Sequence, residues 1–320
     1  MKNHIDQSIN RRNFLARAGA LSGAMLLPAS LMQTMGGTLL GNKNFGGVNV
    51  GVITYSFRSM PGSAEDLLGY LTGLGLSTVE LMSSPIEAYA GAPEGPGWIR
   101  GPLSDEQKKE REEHQQELKK WRLSVPKDKF KALRKMYNDE GIDINIVKFP
   151  IDRISDEEID YCFEVAGILG AKGLTIERSD ETAKKLAPFG DKHKKLIGYH
   201  NHAKVDFNSW DLPVSYSKYN ALNLDVGHYL AGTNESPIPL IKKYSDRILN
   251  LHMKDRKKDN GDNLPWGEGD TPIVEILQLM QKEKYKFMAT IELEYKIPEG
   301  SDAVKEVGKC VDYCRNALNA

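Results

Sequence analysis

Acidic and imidazole side chains recur at the ends of short apolar runs in the second half of the chain. Glu177 closes GLTIE, His200 and His202 close LIGYHNH, Asp225 and His228 close LNLDVGH, His252 follows ILNL, and Glu292 follows MATI. Such a mixture suits a divalent cation: Mn²⁺ and Mg²⁺ prefer carboxylate oxygens, and imidazole admits Mn²⁺, Co²⁺ and Zn²⁺. Taken singly, a buried His is more often a hydrogen-bonded core residue and a Glu a surface residue. Five of them, Glu177, His200, Asp225, His252 and Glu292, at five consecutive run ends are a different matter, because burying that many ionisable groups without a cation is costly.

The elements that must position them read as alternating strands and helices. Eight apolar runs rich in β-branched residues span 48–57, 77–82, 142–149, 173–177, 196–202, 221–228, 247–255 and 286–294. Amphipathic stretches lie between them, several opening on a Ser, Thr or Asp in the capping position. Strand then helix, eight times over, predicts an α/β (β/α)8 TIM barrel over residues 48–320, with every strand end at one mouth. A doubly wound sheet is the alternative architecture. Alternation along a strand puts His200 with His202, and Glu292 with Glu294, on common faces, so only one of each pair need reach a metal.

Two stretches depart from even spacing. Ser83 to Asp128 is a long insertion after the second strand, Gly- and Pro-rich at first and then strongly charged; it reads as a solvated surface helix, with a lid over the mouth as the other possibility. The segment after the fifth strand, NSWDLPVSYSKYN, lacks an obvious full helix.

With 43 Lys and Arg against 44 Asp and Glu, the chain has no basic excess to hold a polyanion by counterion release, which disfavours nucleic acid as a partner. Residues 1–47 read as a segment apart from the barrel. Arg11-Arg12 ahead of a moderately apolar, Ala- and Gly-rich run resembles a twin-arginine export signal, so a periplasmic or otherwise exported protein is expected, with no stable membrane anchor once the signal is cleaved. The three cysteines, Cys162, Cys310 and Cys314, show no disulfide framework and read as small buried side chains.

The segments YHNH, LDVGH, HMKDR, WGEGD and IELE, in this order, resemble the xylose isomerase-like barrel superfamily, in particular its sugar phosphate isomerase/epimerase-like proteins. The resemblance covers essentially all of the chain from Val48 on. It implies a metal held by Glu, Asp, His and Glu from four consecutive strands, and the last three match Asp225, His252 and Glu292. The strand before Asp225 presents His200 where the resemblance implies Glu, and Glu177, one strand earlier, is the other carboxylate available. The resemblance further implies substrate contacts from His228, Lys254 and Arg256, with His202 beside them. Glu268, in the Gly-rich turn, would orient a ligand or cap the next helix.

These readings predict a metal-dependent sugar isomerase or epimerase, most simply with Mn²⁺, acting on a small keto-sugar or related carbohydrate by proton transfer through an enediolate. Glu177, His200 and Glu292 are the acid/base candidates. Expulsion of a β-substituent from the same intermediate would instead give a dehydratase or lyase. A non-catalytic carbohydrate-binding barrel is a further alternative, and homo-oligomers are compatible with the sequence. A phosphodiesterase of the apurinic-endonuclease kind is disfavoured by the near-neutral charge and by the histidine count. No Gly-rich phosphate cradle is present.

Overall fold

The computed structural model describes residues 45–97 and 101–319. Eight parallel strands form the wall of a barrel: β1 (Val50–Ile53), β2 (Thr78–Met82), β3 (Asp143–Lys148), β4 (Gly173–Glu177), β5 (Leu196–His200), β6 (Asn220–Asp225), β7 (Ile248–Met253) and β10 (Met288–Ile291). Two short strands, β8 (Asp255–Arg256) and β9 (Asn263–Leu264), make a separate antiparallel hairpin. The wall closes in the order β1-β10-β7-β6-β5-β4-β3-β2. Its strands are buried along almost their whole length, as expected when side chains fill the inside and helices cover the outside.

The covering helices are α1 (Ala64–Gly73), α2 (Ser83–Tyr89), α3 (Asp105–Ser124), α4 (Asp128–Asp139), α5 (Asp156–Leu169), α6 (Asp180–His193), α7 (Asp211–Ser215), α8 (Val226–Thr233), α9 (Ile238–Lys243), α10 (Ile273–Glu283) and α11 (Ala303–Leu318). Ser63, Ser104 and Ser155 start α1, α3 and α5 with capping boxes, each answered three residues on by Asp66, Gln107 or Glu158. The segment after β5 yields only the five-residue α7.

The barrel interior is layered. Ile146, Ala221, Leu249 and Met288 form an apolar floor. Above it lies a buried polar layer made by Glu80, Thr175, Asn250 and Thr290. Register carries this layer up to the mouth, pairing Glu177 with His200, His200 with Asn223, Asp225 with His252 and His252 with Thr290. Two ladder irregularities, between Val79 and Glu80 and between Leu222 and Asn223, fall in strands that feed the site. β10 ends at Ile291, so Glu292 and Glu294 extend from irregular backbone rather than from a longer strand; Glu292 N still reaches Met253 O at 3.1 Å.

The insertion is a surface element. Of the twenty residues of α3 only Arg122 is buried. Arg122 grips Glu87 of α2 through Nε and Nη2 at 2.8 and 3.0 Å, and Glu158 of α5 through Nη1 at 3.1 Å. A buried guanidinium shared by two buried carboxylates holds the helix to the barrel strongly, because removing any member leaves an uncompensated charge. The three cysteines are free and buried. The export-signal reading falls on residues outside those described. Among the described residues, no helix is long and apolar enough to cross a membrane.

Candidate active site

His200 ends β5, Asp225 ends β6, His252 lies in β7 and Glu292 follows β10, so four neighbouring strands aim four donors at one point. One ligand atom from each lies within 4.8 Å of every other. Donors on opposite sides of an ion at about 2.0–2.2 Å stand at most about 4.4 Å apart, so a contraction of a few tenths of an ångström would close the set on a cation. Two buried atoms of this group, His200 Nε2 and Asp225 Oδ2, have no hydrogen-bond partner among the described residues and lie 3.5 Å apart. Orphaned donor atoms facing one another inside a mixed imidazole and carboxylate set fit a divalent metal.

The backbone fixes each of these side chains. Asp225 is the N-cap of α8, its Oδ1 accepting from His228 N at 2.6 Å. Asn201 brackets it, accepting from Asp225 N at 2.8 Å and donating to Asp225 O at 3.2 Å. His252 spans two carboxylates, Nδ1 facing Glu292 Oε2 at 2.9 Å and Nε2 facing Glu80 Oε2 at 2.7 Å. Desolvation alone would make this imidazole easier to deprotonate, but Glu292 and Glu80 outweigh it and push its pKa up to about 10.

Lys254 supplies positive charge at the same place. Its buried Nζ lies 2.8 Å from Asp225 Oδ2, 2.8 Å from Glu292 Oε2 and 2.5 Å from Glu294 Oε2. The Asp225 contact is ionic but off the hydrogen-bonding direction, which is why Asp225 Oδ2 remains orphaned. Burial works against ionised carboxylates here, yet Lys254 with the neighbouring histidines holds both Asp225 and Glu292 below the usual carboxylate range. Room for the lysine stem depends on Gly227, where a Cβ would come within 2.5 Å of Lys254 Cγ.

Glu177 lies outside that four-donor set but forms a second candidate metal group with His200 and His202. Its Oε2 takes His200 Nδ1 and His202 Nε2, each at 3.1 Å, and its Oε1 takes Lys148 Nζ at 2.8 Å. Partial burial opposes ionisation, but these three cationic or donating neighbours hold the Glu177 carboxyl far down. In return, its hydrogen bond raises His202 above the ordinary histidine value. Arg256 also departs from its expected place. Instead of lining the mouth, it donates to the carbonyls of Gly261 and Asn260 and to His228 Nδ1. Glu268 is exposed, and the N-cap of α10 is Pro272; the Gly-rich turn instead wraps Asp255, whose carboxylate accepts from the backbone of Gly267, Gly269 and Thr271.

A cavity of about 260 Å³ opens over this cluster, lined by Ile53, Tyr55, Met82, Lys148, Glu177, His200, His202, His228, Glu292 and Glu294. Ligand sites for drug-sized molecules run to roughly 300–1,000 Å³, so this one is on the scale of a single sugar ring. In the closed ring β4 and β10 are diametrically opposed. Glu177 and Glu292 therefore face each other across the mouth.

Sequence reasoning passed over Glu80. In TVELM it sits inside an apolar run, where a lone acidic residue is the only local signal. It is fully buried and accepts from Thr175 Oγ1, Asn250 Nδ2 and His252 Nε2. A carboxylate on the far nitrogen of a ligating imidazole sets its tautomer and basicity. Glu80→Gln is therefore expected to weaken binding of Mn²⁺ or Co²⁺ by about 10–100-fold, measured by titration calorimetry. Unchanged affinity in a folded variant would show that His252 needs no such support.

No protein-family model matches the chain. In sequence it is similar to an inosose dehydratase of Clostridium beijerinckii, 27% identical over 128 residues, a stretch amounting to 38% of this chain and 35% of that protein. The match thus spans about a third of the length of this curated relative. Among solved structures, a xylose isomerase domain protein of Alicyclobacillus acidocaldarius superposes with a TM-score of 0.61 at 13% identity, over 85% of this chain and 100% of that one. A probable 3-DHS dehydratase of Bacillus anthracis gives 0.59 at 12% identity, over 83% and 99%. A 3-keto-D-glucoside 4-epimerase of E. coli gives 0.56 at 11% identity, over 84% and 99%. The chain has the fold of the xylose isomerase-like barrels, and at these identities the likeness is one of fold.

Proposed function

We propose that this protein is a metal-dependent enzyme that moves a proton on the carbon next to a carbonyl in a small, uncharged carbohydrate, giving isomerisation or epimerisation. The observation that carries this reading is the pairing of one cation-fitting donor set with two proton-carrying walls. His200, Asp225, His252 and Glu292 would hold the ion, most simply Mn²⁺. When bound, it would supply Lewis acidity toward a carbonyl oxygen and the adjacent hydroxyl.

The residues around it do the rest. Glu292, kept ionised by Lys254 and His252, is the base on the β10 wall. On the opposite wall Glu177 and His202 share a hydrogen bond at 3.1 Å and can deliver or accept a proton at the second face or the adjacent carbon. His200 connects the two walls, since its Nδ1 reaches Glu177 while its Nε2 points at Asp225. Among the described residues lining the cavity, the lysine is committed: Lys148 is paired with Glu177. Behind it, Lys254 is likewise engaged by three carboxylates. Within this cavity a phosphorylated sugar would meet no uncommitted ammonium, and Lys204 lines the adjoining cavity beyond Glu177 and His202 rather than this one, so a neutral keto-sugar or 3-keto-glycoside is the substrate class of this reading. The fold likeness to a 3-keto-D-glucoside epimerase agrees with that substrate class. With the paired arginines near the N-terminus, export to the periplasm belongs to the same proposal.

A second reading, loss of water or an alkoxide from the same carbanion, is favoured by the similarity to an inosose dehydratase. NMR of the Mn²⁺-, Co²⁺- or Zn²⁺-supplemented protein with keto-sugars and keto-glycosides in deuterated water distinguishes the readings. Deuterium entering a substrate or its epimer supports the first, and an unsaturated product supports the second. Binding without carbon-bound exchange in any member of the panel would reduce the protein to a carbohydrate-binding barrel.

A further inference from the structure

His228 is flanked by a cation at each ring nitrogen. Arg256 Nη1 lies 2.7 Å from Nδ1, and Lys254 Nζ lies 3.2 Å from Nε2. A neutral imidazole can accept through one nitrogen only, and carries its proton on the other. Both nitrogens therefore cannot accept, and the geometry decides between them. The contact to Arg256 is shorter, and Nη1 makes no other hydrogen bond among the described residues. Lys254 donates to Glu294 Oε2 at 2.5 Å and is ion-paired with Asp225 Oδ2 and Glu292 Oε2 at 2.8 Å each, all nearer than the imidazole, whereas a guanidinium fork is rigid.

Arg256 is itself held by a built device. Its Nε and Nη2 reach Gly261 O at 3.0 and 2.6 Å, and Nη2 reaches Asn260 O at 3.3 Å. These carbonyls come from the β8–β9 turn, where Asp259 and Asn260 both adopt left-handed backbone, φ 57° and 55°. The turn is tied to α8, the helix that carries His228: Asn260 N reaches Ala231 O at 2.8 Å, and Asp259 N reaches Asn234 Oδ1 at 2.7 Å. The arrangement is locked at both ends.

We propose that Arg256 is a positioning residue that fixes His228 in the Nε2–H tautomer, so that this proton is presented in the mouth as a hydrogen-bond donor for a substrate oxygen. The nearest carboxylate oxygens, Glu294 Oε2 at 3.8 Å and Asp225 Oδ2 at 3.9 Å, are too far to take it. The ring lines the cavity. The donor role rests on the sugar-enzyme reading above; the tautomer does not.

Nitrogen-15 NMR of the histidine-labelled full chain, with and without Zn²⁺, tests the tautomer with no substrate present, the His228 signals being assigned by their loss in His228→Gln. A pyridine-like Nδ1 with a pyrrole-like Nε2 is expected, shifting toward a mixture of tautomers in Arg256→Lys. A protonated Nδ1 in the native protein, or an unchanged pattern in Arg256→Lys, overturns the proposal even if that variant folds poorly, because the first result needs no variant. For the donor role, Arg256→Lys should lower turnover by roughly tenfold or more with a much smaller change in KM. His228→Gln, whose amide can reach the Nε2 position, should retain more activity than His228→Asn; equal losses overturn the donor role and leave the tautomer standing. Failure to find any exchanging sugar would count against the enzyme reading alone.

Discussion

Glu292→Gln is expected to lower carbon-bound proton exchange by about 10³-fold or more, since general base catalysis alone contributes about 10²–10⁴-fold. The substitution keeps the shape of the side chain and removes its charge. Three neighbours depend on that charge: His252 Nδ1 at 2.9 Å, Lys254 Nζ at 2.8 Å and His200 Nε2 at 3.9 Å. Two consequences should therefore appear together, loss of the base and weaker retention of the metal. Metal content and circular dichroism measured on the same samples separate them from unfolding. Glu294→Gln is the internal control, because Glu294 touches Lys254 and no member of the four-donor set within hydrogen-bond distance; its effect should be the smaller. Native exchange rates in Glu292→Gln would remove the base from the proposed reaction.

The metal-free protein is expected to lose stability as pH rises from about 6.5 to about 10. His252 holds its proton to about 10 in the fold, whereas an unstructured histidine releases it near its ordinary value of 6.5. A group with a raised folded pKa stabilises fully below its unfolded value, and that contribution drains away as the folded value is approached. Neutralising the imidazole leaves Glu80 and Glu292 facing each other across a ring that no longer balances them. The melting temperature should fall by roughly 5 °C or more over this window, given a few degrees per kcal/mol in a chain of this size. A divalent ion held by His252 and its partners would supply positive charge in place of the imidazole proton, so the metal-loaded protein should keep or gain stability over the same range. Melting curves with Mn²⁺ and with EDTA at about pH 6.5, 8 and 9.5 make the comparison. A flat curve in EDTA would show that the Glu80–His252–Glu292 chain is not proton-linked.

How far the site could be read from the sequence depended on where each partner lay. His200, Asp225, His252 and Glu292 were visible because each marks the end of its own apolar run, and barrel geometry then brings such ends together without any knowledge of contacts. Glu80 was not visible because its importance comes from Thr175, Asn250 and His252, residues on other strands and far along the chain. Glu177 falls outside the four-donor set and joins a second candidate metal group with His200 and His202, while Lys148 at the end of β3 engages its other oxygen. No spacing rule joins those residues. The resemblance of HMKDR implies a substrate contact for Arg256; its acceptors are main-chain carbonyls of a left-handed turn, a feature of backbone conformation rather than residue type. The apolar and alternating pattern of 286–294 predicts a longer last barrel strand than forms, because only Met288–Ile291 pairs with the neighbouring strands. The extent of the insertion was legible from its charge, but not the clasp of Arg122 on Glu87 and Glu158.

The depth of Glu80 bears on how such a centre could be transplanted or inherited. All four candidate ligands lie from β5 onward, so a C-terminal half-barrel, or a chimera joined between β4 and β5, would carry every one of them. It would nevertheless arrive without the β2 carboxylate that receives His252 Nε2 at 2.7 Å, unless the donor of the first half offered an equivalent acid. Fragment exchange within this fold should therefore preserve architecture more readily than the coordination chemistry, and the two halves are expected to be matched partners rather than interchangeable modules.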